Sequence, residues 1–323
     1  MHLVSGPFGA EEIALTSTSR GVLAIVAYNE AGRIARCLES VKNSPPPPGL
    51  TWREWFILDG GSSDKTIDVA REWHMKSSSA IPFTIRTVTE RRGLSADLSE
   101  FRAQLIAEER QNEIVVIVEA DSTLLANSIS NLLRPFLELP DLVETFGICR
   151  VDDYSRGRWA SGFQLDVSEE LARLTDPTKP RAMGRLFAYR VGGLGDFAII
   201  PNAGGFDDQL SAFMNSKHLE ARIVPDAVVV ITSPTGYRDF YLQTSRVQAG
   251  STATRDVYGA ERDNRPTRRL KLRAFINQAL KHPLRAVAYL VARLVTLVWL
   301  YKKPLKFKDT WTPSLSTKEK SDN

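Results

Sequence analysis

Residues 114–122 read IVVIVEADS, an unbroken β-branched run that ends in two carboxylates separated by one alanine. A run this short and uniformly apolar is a strand buried on both faces, as at the middle of a parallel sheet. Upstream lie GVLAIVA at 21–27 and WFIL at 55–58, with the alternating FTIRTV at 83–88. Helical patterns over about 30–41, 64–73 and 94–109 separate these strands, and the alternation predicts an α/β chain with helices covering an open, mostly parallel sheet. Pro45–Pro48 forms a rigid connector. Farther on the pattern loosens: a helix is expected over 169–174, a strand over 186–190, a mobile glycine-rich stretch over 192–205, a strand over 222–231 and a helix over 237–249.

Composition removes several classes. The chain has 323 residues, 43% hydrophobic and 25% charged, which is ordinary globular usage. Cys37 and Cys149 are its two cysteines, too few for a disulfide framework, and with no Cys-x-x-Cys spacing there is no zinc-ribbon signature. That usage fits a reducing, cytoplasmic compartment. Lys and Arg number 42 against 38 Asp and Glu, a net charge of +4, too small an excess to indicate nucleic-acid binding. The segment MHLVSGPFGAEEIALTSTSR at 1–20 has acids where an export signal has its basic region, and no such signal is expected.

In an open α/β sheet ligands bind beyond the carboxyl ends of the strands. Those positions here are acidic and small: Tyr28-Asn29-Glu30 after the first strand, Asp59-Gly60-Gly61-Ser62-Ser63-Asp64 after the second, Glu119-Ala120-Asp121 after the fourth. Gly60 and Gly61 suit a tight turn, and Ser62, Ser63 or Asp64 can cap the next helix. Glu119 and Asp121, two apart, share a face and form a natural hard-cation site for Mg²⁺ or Mn²⁺ bridging phosphates. Asp207 and Asp208 suit either chemistry or the first turn of the helix that follows them. Gln243 and Arg246 share a helical face, where Arg246 is either a phosphate contact or a solvated charge.

In this order and spacing, AIVAYNEAGRIARCLESV (24–41), WFILDGGSSDKTIDVA (55–70) and IVVIVEADSTL (114–124) resemble the donor half of inverting family 2 glycosyltransferases, and GFDDQLSAFM (205–214), IVPDAVV (223–229) and SPTGYRDFYLQTSRVQAG (233–250) resemble its acceptor half. The resemblance is to membrane-associated, polysaccharide synthase-type members. It implies a GT-A fold over 21–255, with 1–20 as an extension and 256–323 as a basic tail. Tyr28, Asn29, Glu30, Asp59, Gly60 and Arg92 would then hold a nucleotide sugar, with uridine as the expected base. Asp121, with Glu119, would hold the metal, Asp208 beside Asp207 would act as general base, and Gln243 and Arg246 would contact acceptor or diphosphate. Two positions depart from the family pattern: Glu119 replaces the first Asp of Asp-x-Asp, and Val247 replaces the Trp of Gln-x-x-Arg-Trp. Lys179, Arg181 and Arg185 suit a lid over the diphosphate. The alternative functions are a non-catalytic scaffold that binds nucleotide sugar or glycan, and a sugar nucleotidyltransferase, against which stands the lack of a glycine-rich, basic phosphate loop after the first strand.

The most apolar stretch, LRAVAYLVARLVTLVWLY at 284–301, carries Arg285 and Arg293 along one side. A span would place Arg293 near the bilayer centre at high cost, whereas a helix in the interface lets both arginines, Lys302 and Lys303 reach anionic headgroups. Packing on the catalytic domain or on a protein partner is the alternative. The expectation is contact with the cytoplasmic face of a membrane through 284–303, with a glycan or lipid-linked acceptor.

Overall fold

The computed structural model describes residues 19–152, 159–178, 184–234, 236–259 and 266–302; Lys179, Arg181 and Lys303 lie outside these. Eight strands, β1 (Ser19–Ala27), β2 (Leu50–Asp59), β3 (Phe83–Thr87), β4 (Ile114–Glu119), β5 (Ser122–Leu124), β6 (Glu144–Val151), β7 (Leu186–Arg190) and β8 (Ala221–Ile231), form one sheet in the order β3-β2-β1-β4-β7-β6-β8-β5. The pairs β1–β2, β2–β3, β1–β4 and β6–β8 are parallel; β4–β7, β6–β7 and β5–β8 are antiparallel. Strand order reverses between β1 and β4, the switch point where α/β sheets open a crevice.

Alternation along the strands sorts the core into two layers. Leu23, Ile25, Val116 and Val118 pack under α1 (Ile34–Lys42), α2 (Thr66–Ser77) and α4 (Ser128–Glu138). Val22, Ala24, Val115 and Ile117 face the opposite layer of α3 (Leu94–Ala107) and α6 (Phe206–Lys217). Between these, α5 (Trp159–Leu174) leads into the acceptor half. It begins well before the expected 169–174, because its apolar residues Ala160, Phe163 and Ala172 are set by packing on neighbouring elements. β6 and α4 carry no clear signal in sequence: Glu144 opens β6 with an acidic residue type, and Pro135 sits inside α4.

The glycine-rich stretch 192–205, expected to be mobile, is pinned. The buried Arg102 guanidinium donates to the carbonyls of Val191 at 3.2 Å, Phe197 at 3.1 Å and Gly195 at 2.7 Å. Gln209, fully buried, accepts from the Ile200 N–H and donates to the carbonyls of Ile200 and Gly204. Bonds to backbone carbonyls leave no trace in a residue pattern, so the sequence does not announce this pinning.

Helix α7 (Tyr237–Tyr258) runs beyond the expected 237–249, and α8 (Arg268–Lys281) and α9 (Pro283–Lys302) follow it. Among the described residues one helix, Pro283–Tyr301, is long and apolar enough to cross a membrane. Its inner side packs on the domain, and Arg285, expected at headgroups, instead pairs with the buried Asp166 at 3.2 Å.

Glu144 is 0% exposed, and among the described residues neither carboxylate oxygen has a hydrogen-bond partner; its neighbour across the β6–β7 pair, Tyr189, has a buried hydroxyl in the same condition. Burial, reinforced by the charge of Asp207, holds the Glu144 carboxyl well above its ordinary pKa. The folded protein therefore retains a proton that the unfolded chain releases above about pH 4.3, and stability falls as pH rises from there toward the folded-state pKa. Glu144→Gln is expected to remove this slope: urea unfolding should give equal stabilities for wild type and variant near pH 4, with the variant more stable at pH 8. A parallel pH dependence in both proteins would show that Glu144 is charged in the fold.

Candidate active site

β1 organises the crevice by bonding both neighbours at its carboxyl end. Its Val26 carbonyl accepts from the Ala120 N–H and its Ala27 carbonyl from the Gly60 N–H, each at 2.9 Å. The acidic ends of β2 and β4 are thereby held on either side of Tyr28-Asn29-Glu30. On the far side of β4, the Glu119 N–H donates to the Arg185 carbonyl at 3.2 Å, extending the β4–β7 pairing by one residue.

That extension sets Arg185 beside both carboxylates. Its Nη1 lies 2.5 Å from Glu119 Oε2 and also bonds Asp121. Burial opposes the charge on Arg185, yet Asp121 and Glu119 hold its pKa above the ordinary guanidinium range. Glu119 responds in the other direction: burial, opposed by Arg185 and assisted by Asp121, pushes its carboxyl up to about 7. Arg246, projecting from α7, is held down to about 10 by burial and by Arg185, against the pull of Glu119, Asp207 and Asp121. Asp207 lies against Gly184 and Gly205, where an added Cβ would come within 3.1 Å and 2.7 Å of its carboxylate. Three carboxylates (Glu119, Asp121, Asp207) thus share one electrostatic neighbourhood with two guanidiniums (Arg185, Arg246).

Asp208, half-buried, is next to Asp207 in the first turn of α6. Gln243 is half-buried on α7, one turn before Arg246, and Val247 is exposed. Of these charged groups, Arg185 was the one the sequence placed only in a general lid. Its signal is its position immediately before a strand that pairs with β4, and that pairing is invisible without the fold.

The loops after β1 and β2 interlock. Asp59, 1% exposed, accepts from the Ser62 N–H and from Ser62 Oγ, the latter at 2.5 Å. Ser62 Oγ in turn accepts from the Asn29 N–H at 2.8 Å, and Asn29 Oδ1 accepts from the Ser63 N–H at 2.8 Å. The Glu30 N–H donates to Thr66 Oγ1 at 2.7 Å. Asn29 adopts φ +54° and Gly61 φ +82°, conformations that suit Asn and Gly. Asp59 is therefore a loop organiser at the crevice wall. Arg91 lies over the Tyr28 ring at 4.0 Å, a cation–π contact. Arg92 pairs with Glu100 at 2.5 Å and Asp97 at 3.3 Å.

A cation fits the Glu119–Asp121 pair, since the two carboxylates already converge on one positive group. Among the described residues no group of three or more His, Cys, Asp or Glu could hold a metal ion. A Glu–Asp pair can hold Mg²⁺ or Mn²⁺ when water and phosphate oxygens supply the remaining ligands.

The model of the family described as Glycosyl transferase family 2 matches residues 22–196. No curated protein matches the chain by sequence. Among solved structures, the mannosyltransferase PcManGT from Pyrobaculum calidifontis, in complex with GDP-Man and Mn²⁺, is 22% identical over 90% of this chain and 77% of its own, with a TM-score of 0.55. Glucosyl-3-phosphoglycerate synthase from Mycobacterium tuberculosis, in complex with Mn²⁺, UDP and glucosyl-3-phosphoglycerate, is 18% identical over 83% of this chain and 88% of its own, with a TM-score of 0.45.

Ser62 is the hinge of the interlocked loops, so Ser62→Ala removes a donor from the buried Asp59 and an acceptor from Asn29. It is expected to cost about 1–3 kcal/mol in urea unfolding, while Ser63→Ala stays within about 0.5 kcal/mol. Equal small effects would show that the Asp59 carboxylate is satisfied without Ser62.

Proposed function

Because the chain belongs to glycosyl transferase family 2, we propose that it moves a hexosyl or N-acetylhexosaminyl group from a UDP-sugar to a hydroxyl of a glycan or lipid-linked acceptor. The transfer inverts the anomeric configuration and takes place at the cytoplasmic face of a membrane. The observation that carries this reading is the convergence of Glu119, Asp121 and Asp207 with Arg185 and Arg246 at the β1–β4 switch point.

The nucleoside lies along the loops after β1 and β2, against Tyr28 with Arg91 behind it, and Asp59 keeps the Gly60–Ser62 turn closed around it. Glu119 and Asp121 would hold Mg²⁺ or Mn²⁺, which would supply Lewis-acid neutralisation of the departing nucleotide. Arg185 and Arg246 face the diphosphate oxygens and stabilise the charge that develops there. Asp208 takes the proton of the acceptor hydroxyl while that oxygen bonds the anomeric carbon from the face opposite the diphosphate. The bond from that carbon to the phosphate oxygen breaks, and UDP leaves. Asp207, in the field of Arg246, positions the charge cluster, and Gln243 contacts the acceptor or diphosphate from the same face as Arg246.

Nucleotide release from a panel of UDP-, GDP- and dTDP-sugars, with Mg²⁺ or Mn²⁺ and a membrane lipid extract, tests the reading. Cation-dependent release from a UDP-sugar, abolished in Asp121→Ala, is the expected result; donor binding without release from any member would favour a non-catalytic scaffold.

Asp208→Asn is expected to lower kcat at least about a hundredfold with little change in donor affinity, whereas Asp207→Asn weakens donor binding. The reverse pattern would assign the base to Asp207. NMR of the product linkage reports inversion directly.

A further inference from the structure

The helices α8 and α9 carry apolar outer stripes that the other described residues leave uncovered. Leu272, Ile276 and Leu280 recur every four residues on α8, and Val287, Leu294 and Val298 share one side of α9; all six are exposed, Leu280 at 79%. Between Pro266 and Lys302 the sequence contains no acidic residue. Arg268, Arg269 and Arg273, exposed on α8, project on the same side as its apolar stripe. Exposed apolar stripes on two helices whose own charged residues are all cationic match the headgroup boundary of an anionic bilayer, with the side chains sunk into the acyl edge and the guanidiniums on lipid phosphate.

The inner side of α9 decides how it meets that bilayer. Arg285 pairs with Asp166 at its start. Tyr289 packs on Phe163 and Phe240, Thr296 lies 3.3 Å from the Tyr237 hydroxyl, and Trp299 packs on Tyr241 near its end. These contacts run from residue 285 to residue 299, about 21 Å at 1.5 Å per residue, so the helix lies against α5 and α7 over most of its length. Were α9 to span, charged residues of α5 such as Asp166 would be dragged toward hydrocarbon, where ionisable groups are costly.

We propose that α8 and α9 form a platform that docks flat on an anionic lipid bilayer as a peripheral contact. The transferase reading adds the consequence for substrate. Tyr237 and Tyr241, which touch α9, lie on the same helix as Gln243 and Arg246, so the acceptor side of the crevice is tied to the docked face and the acceptor is drawn from the lipid surface.

The test floats full-length protein, without donor, with phosphatidylcholine vesicles with or without phosphatidylglycerol. Wild type is expected to float with the anionic vesicles only, to be released by high salt, and to be extracted from them by alkaline carbonate. Both Leu272→Glu/Ile276→Glu/Leu280→Glu and Arg268→Glu/Arg269→Glu/Arg273→Glu should weaken flotation at least about tenfold. Resistance to carbonate would overturn the flat geometry in favour of a span. Absence of flotation, with a concentration-dependent dimer that the leucine variant dissociates, would assign the face to a second copy of the chain; absence of both would assign it to a protein partner. UDP release by the same variants is measured separately, so failure of the transferase reading leaves the flotation result interpretable, and the converse holds as well.

Discussion

The site depends on one guanidinium placed between two carboxylates. Glu119 and Asp121 come from the end of the most buried parallel strand, and side by side they would repel; two unit charges about 4 Å apart interact by about 4 kcal/mol at an effective dielectric near 20. Arg185 removes that repulsion by bonding both. It can do so because its own carbonyl closes the last rung of the β4–β7 pairing on the Glu119 N–H. A backbone hydrogen bond thus sets a side-chain charge, and Arg246 and Asp207 enter the same field from two other elements.

The rest of the architecture supports this placement. β1 is bonded on both sides, so the loops after β2 and β4 cannot drift apart, and the Asp59–Ser62–Asn29 relay locks the loop pair on the donor side. On the acceptor side, Arg102 and Gln209 clamp the segment that leads into Asp207 by satisfying its carbonyls. Thr254 of α7 donates to the Ala203 carbonyl, which ties the helix bearing Arg246 to the loop before Asp207. Gly204, at φ +112°, has no room for a Cβ against Thr254. Buried polar groups therefore do the positioning here, and apolar packing supplies the frame.

The donor half was legible because each of its elements is buried by a regular pattern. Val115, Val116, Ile117 and Val118 need no tertiary context to be read as a central strand, and α1 keeps Ile34, Cys37, Leu38 and Val41 on one face. The acceptor half was less legible. β6 opens with Glu144, a residue that belongs in a core only if it carries a proton, and α4 contains a proline. The arginines illustrate what spacing leaves open: Arg92, expected at the donor, pairs with Asp97 and Glu100, and Arg285, expected at headgroups, pairs with Asp166. A guanidinium on a long flexible stem goes to the nearest desolvated carboxylate, and sequence spacing does not reveal which one that is.

By itself the sequence determined the alternation of strand and helix, the acidic strand ends, the family resemblance and the apolar basic tail, because these rest on local periodicity and on residue type. Only the tertiary structure decided which charges meet. Arg185, Arg246 and Asp207 come from three elements far apart in the chain, and the partner of Glu119 and Asp121 follows from an antiparallel pairing between distant strands. The orientation of the tail was likewise decided by contact: hydropathy marks α9 as apolar, but its packing along α5 and α7 sets which face remains outside. Local pattern reports what a residue prefers, and long-range pairing decides which of those preferences can be met together.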